Sequence, residues 1–109
     1  MCNFISIEYL VALALIVNNK EEISLAELNE YRVKITKVIK ERKVNAVFLF
    51  SSKYAIDMVR NYEDYFEWNT EENTIRRKVS PDILISKFLD YLSTDVLMAA
   101  QDLMAAQDV

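Results

Sequence analysis

The sequence predicts a mainly α fold with a single small β-hairpin, an α+β domain. Three observations carry that expectation. Apolar residues recur at helical spacing in several stretches, as in Leu28, Tyr31, Ile35, Val38 and Ile39. Strict alternation flanks one polar turn, with Phe66 and Trp68 before it and Ile75, Arg77 and Val79 after it. A cap followed by a helix start stands at Ser80-Pro81-Asp82.

The first helix is expected from about Ile5 to Asn18. It is apolar nearly all round, since Tyr9 through Val17 contains no polar residue, so it must be covered on several sides. The stretch from Phe4 to Val17 is too short to span a bilayer, contains Glu8 and lacks the basic residues that open a signal peptide. A buried helix is the better reading, and the cytoplasm is the expected compartment. After the polar turn Asn18–Glu22, Ile23 is read as a short strand. Ser24-Leu25-Ala26-Glu27 then forms a capping box, in which serine and glutamate side chains each take the other's backbone amide. The second helix runs from there to near Lys43, or breaks into two shorter helices. Its outward positions include Lys34, Lys37, Lys40 and Glu41.

Val44 to Phe50 fits a buried strand or a continuing helix, and helix or turn is the expectation here. Ser51 or Ser52 caps the next helix, with Ala55, Met58, Val59, Tyr62 and Phe66 inward and Lys53, Asp57, Arg60, Asn61 and Asp64 outward. The hairpin follows, with an asparagine expected at its left-handed position because the chain has no glycine. The closing helix puts Ile85, Phe88, Leu89, Leu92 and Val96 on one face, and Ser93-Thr94-Asp95 is a point where it breaks and restarts. The domain is read as residues 1–94. Residues 95–109 form a helical tail containing the duplication Leu97-Met98-Ala99-Ala100-Gln101-Asp102 and Leu103 to Asp108, read as a frayed terminal helix or a partner-binding segment.

Composition excludes much chemistry. With 0 Gly and 0 His in 109 residues, the phosphate-cradling loop, the dinucleotide fingerprint, the commonest general base and the commonest metal ligand are all missing. No acid is set beside a base, nucleophile or ligand, so no catalysis, cofactor, metal or small-molecule substrate is expected. The one cysteine, Cys2, fits a reducing compartment. Net charge is −4 but unevenly spread. Residues 31–60 hold eight bases against Glu41 and Asp57, and Arg76-Arg77-Lys78 forms a second basic run between acidic stretches. Such asymmetry is a footprint of polyanion binding.

Helix, short strand, helix, helix, hairpin and closing helix is an order that resembles the winged-helix superfamily over roughly residues 5–94. Its most specific stretches are Lys53-Tyr54-Ala55-Ile56-Asp57-Met58-Val59, Phe66-Glu67-Trp68 and Asn73-Thr74-Ile75-Arg76-Arg77-Lys78. The end of the last stretch is also faintly similar to La-type winged-helix domains. The resemblance implies duplex DNA binding, with a third helix in the major groove and a wing on the backbone. It places Ser52, Lys53, Tyr54, Arg60 and Asn61 on the reading helix and Arg76, Arg77 and Lys78 on the wing. Lys34, Lys37, Lys40 and Lys43 would add phosphate contacts. The alternative is a non-catalytic protein-interaction subunit of a larger assembly. The first helix, apolar around its circumference, and the apolar stripe of the closing helix, above all Leu84, Phe88, Leu92 and Val96, are expected to join two copies in a two-fold homodimer.

Overall fold

The computed structural model describes residues 3–107. Five helices enclose one core and carry two small sheets: β1 (Asn3–Ile5), α1 (Ile7–Val17), β2 (Glu22–Ser24), α2 (Leu25–Glu41), β3 (Ala46–Phe48), α3 (Ser52–Asn61), β4 (Phe66–Asn69), β5 (Thr74–Arg77), α4 (Pro81–Lys87) and α5 (Thr94–Gln107), with a 3₁₀ turn at Leu89–Tyr91.

α1 is the axis of the core. Leu10 through Leu15 are all fully buried, and α2, α3, α4 and α5 each pack against this helix. An all-round apolar helix is satisfied here within one chain because four helices share its circumference. The apolar residues named for a dimer are instead covered within the chain itself. Leu84, Phe88 and Val96 are 0%, 1% and 2% exposed, inside the protein's own core, and Leu92 is half-buried against it. The chain turns at Phe88 through the 3₁₀ segment, so α4 and α5 reach α1 separately instead of forming one long outward stripe.

The tail is helical to Gln107, and one face of it is covered. Val96, Ala99, Ala100 and Leu103 recur at helical spacing, are buried, and join the same core as the rest of the chain. Residues 95–107 thus complete one core with the preceding elements rather than forming a separate tail. Two alanines at the centre of that stripe let α5 lie close along α2. Six-residue copies rotate their faces relative to the helical period, so inward positions come mostly from the first copy, Ala99 and Ala100, with Leu103 from the second.

β2, β5 and β4 form an antiparallel sheet in that order, and β2 is supplied from between α1 and α2. In register, Ile23 faces Ile75 and Ile75 faces Trp68, which makes the inner surface. The β4–β5 turn is built without glycine. The Asn69 side-chain oxygen accepts the amides of Glu71 and Glu72 at 3.1 and 3.2 Å, and Asn73 takes the left-handed position at φ 57°.

β1 and β3 form a second, parallel pair. Here the sequence expectation was wrong twice: Ile5 belongs to a strand and not to the first helix, and residues 46–48 are a strand, not helix or turn. Ile5 and Phe48 face the core while Phe4 and Val47 face out. Strands of three residues are too short for alternation to be distinguished from a helix end.

The helix ends follow the local chemistry. Ser24 and Glu27 form the full capping box, α2 runs unbroken, and Ser51, not Ser52, caps α3 by accepting the Tyr54 amide at 3.0 Å. α1 and α2 stop in the same way, with Asn19 and Lys43 at positive φ; the next amide reaches back, Lys20 to Leu15 and Val44 to Ile39.

Candidate functional site

The basic residues singled out above fall into three groups. The first is the run on β5. Arg76 stands across from Glu22 on one neighbouring strand and Glu67 on the other. Its guanidinium lies 3.8 Å from Glu21 and 3.9 Å from Glu67. Arg77 turns back, donating to the Val79 carbonyl at 2.8 Å and lying 3.8 Å from the other Glu21 oxygen. Lys78 donates to the Glu63 carbonyl at 2.9 Å. All three cations of the hairpin are thus engaged within the molecule, and Glu71 and Glu72 occupy its tip.

The second group is on α3. Lys53 and Arg60 are exposed and form no ion pair among the described residues. Tyr54 and Asn61 do not join them. They line a shallow depression of about 270 Å³ with Ser6, Glu8, Asp57 and Tyr62, at the start of α1. There the Tyr62 hydroxyl donates to Glu8 at 3.4 Å, and burial, then the Glu8 charge, push the phenol's pKa upward. Ser52 is the exposed first residue of α3. Asp57, one turn from both Lys53 and Arg60, sets an acid between the two bases of the supposed reading helix.

The third group is on α2. Lys34 is paired with Glu30 at 3.1 Å, one turn away. Lys37 and Lys40, exposed and without an ion pair among the described residues, line a depression of about 320 Å³ with Arg32, Val33 and Thr36. Arg32 is held in place: its Nε and Nη2 both donate to Asn29 Oδ1, at 3.0 and 2.9 Å, and its guanidinium lies 5.7 Å from the Phe50 ring centre. Lys43 is exposed just beyond the helix end.

Two features escaped the sequence reading. Phe4 and Tyr91, 68% and 76% exposed, border a mostly apolar depression of about 430 Å³ whose other walls include Ile5, Ala46, Leu92 and Val96. It exists because β1 and β3 pair, which short strands did not announce. Tyr31 is the other. Its buried hydroxyl has no hydrogen-bond partner among the described residues, and burial raises its pKa well beyond the ordinary phenol value, so it stays protonated.

Among the described residues no group of three metal-ligating side chains comes together. No helix among them is long and apolar enough to cross a membrane. No protein-family model matches the chain, and neither a curated protein nor a solved structure matches it.

Proposed function

We propose that this chain is a non-catalytic, winged-helix-like module that docks onto a protein. The fold part rests on strand order: β2, from between the first two helices, pairs with β5 of the hairpin that follows α3. A wing of the kind the element order anticipates would pair in this way. The connection from α2 to α3 departs from a tight helix-turn-helix, since residues 42–51 carry a strand of their own.

One observation carries the choice of a protein partner. The wing cations Arg76, Arg77 and Lys78 already have Glu21, Glu67 and two carbonyls as partners. With Glu21 and Glu67 beside its arginines, and Glu71 and Glu72 at its tip, the wing's positive charge is offset by acids and its attraction for phosphates is reduced. Exposed Phe4 and Tyr91 beside an apolar depression suit a protein surface better than a nucleic acid.

Duplex DNA remains the second reading, favoured by Lys37, Lys40, Lys43, Lys53 and Arg60, which make no ion pair among the described residues. A mobility-shift titration with random-sequence duplex at low salt separates the two. The protein reading expects binding no tighter than about 10⁻⁴ M, the loose end of non-specific association, unaffected by replacing Arg76, Arg77 and Lys78 with alanine. Micromolar binding with a steep salt dependence that this triple variant flattens would establish the duplex reading instead.

A further inference from the structure

We propose that the outer face of α2 is the docking site and that its occupant is a short acidic, amphipathic segment of a partner protein. This rests on the protein-docking reading above and names where and with what chemistry it operates. The depression on α2 is lined by Arg32, Val33, Thr36, Lys37 and Lys40 and by no acid. Its charge is thus opposite to that of the chain as a whole, which is −4. Carboxylates are the complementary groups.

Three details favour a peptide over a nucleic acid. Val33 is 56% exposed between the cations, where a leucine-sized side chain gains from covering it and a phosphate does not. Arg32 is oriented in advance by Asn29 and Phe50, so less side-chain entropy is lost when it meets a planar carboxylate. The cationic track is also short: Arg32 to Lys40 spans about 12 Å along the helix axis, at about 1.5 Å per residue. Glu30 and Glu41 stand on the same helix beside it, both exposed. A duplex extending past the track meets those acids, whereas a segment of about two turns, roughly 11 Å long, fits inside it.

The test uses the 109-residue chain and a fluorescein-labelled peptide of about eight residues, glutamates and aspartates with two leucines at helical spacing. A serine-for-leucine version and a duplex of similar length are titrated in parallel, with backbone chemical shifts followed by NMR. The acidic leucine peptide is expected to shift Arg32 through Lys40. K37E/K40E should weaken it at least roughly tenfold, and V33S and the serine peptide each by several-fold. These exposed positions leave the fold intact, which unchanged thermal midpoints verify.

Peptide binding that maps to the Phe4 and Tyr91 depression overturns the α2 site while leaving protein docking in place. Absence of binding by peptide and duplex alike also overturns the α2 site alone. Duplex binding tighter than peptide binding, lost in K37E/K40E and indifferent to V33S, overturns both this site assignment and the protein reading beneath it.

Discussion

The Phe88 ring stands edge-on to the Tyr62 ring, with centres 5.4 Å apart and planes at 71°. Tyr9, Tyr65 and Phe66 surround the same ring at 5.6 to 5.8 Å. A side chain with four aromatic neighbours is an internal keystone, and its removal is expected to leave a void that the neighbours fill only in part. F88A is expected to cost about 3–5 kcal/mol, a large part of a small domain's stability, read as a lower urea midpoint. F88E should give unfolded protein in circular dichroism. A well-folded, soluble F88E chain would show that this ring is not part of the core.

Glu27 makes one helix start sensitive to acid. The Lys20 ammonium, hydrogen-bonded to its carboxylate at 2.6 Å, and the Ser24 amide at 3.2 Å hold the Glu27 pKa below its ordinary value. A carboxyl depressed in the folded state contributes stability above its unfolded pKa, and that contribution is lost as pH falls through the folded value. Both side chains of the ion pair are nearly half exposed, so the contribution is small. Between about pH 5 and pH 3 the wild-type thermal midpoint should fall more than that of E27Q, which keeps an amide oxygen for the cap. S24A, which removes the other half of the box, should cost about 1 kcal/mol at any pH in this range.

Lys43 holds φ 59° with a full side chain. The left-handed region disfavours a β-carbon by roughly 1–2 kcal/mol, and glycine is free of that cost. K43G should therefore raise the urea midpoint, by an amount equivalent to about 0.5–1 kcal/mol after the added flexibility of the unfolded chain. The same change at Lys40, inside α2, should lower it by about 1 kcal/mol. If both changes were destabilising, the positive φ at Lys43 would not be a source of strain.

The elements that were legible in the sequence are those with strong local chemistry. Ser24 to Glu27 fixed the start of α2, Pro81 the start of α4, and the alternation around Thr70–Asn73 the hairpin. β1 and β3 were not legible, because three-residue strands owe their existence to a partner more than forty positions away, Asn3 to Ala46. The basic runs were visible, but not their neutralisation. Glu21 and Arg76 are distant in sequence and meet only because β2 is drawn beside β5. The same non-local packing hid the fate of Phe88 and Val96, since an apolar stripe looks alike whether a second copy or α1 covers it.

The duplicated tail offers a last test, because its two copies carry unequal loads. In the first, Ala99 and Ala100 are fully buried where α5 lies along α2, and Asp102 pairs with Arg42 at the far end of that helix. In the second, Leu103 is buried, whereas Met104 through Ala106 are exposed. Ala99 has no room for a larger side chain, so A99L must either push α5 outward or distort a helix packed against it, at a cost of about 1–3 kcal/mol. A105L, the equivalent change in the second copy, falls on the exposed side and should change stability by less than about 0.5 kcal/mol. D102A should lie between them, near 0.5 kcal/mol, since its ion pair is partly exposed. Urea titrations of the three variants give the ranking directly, and equal effects for A99L and A105L would mean that the copies are not distinguished by packing on α2.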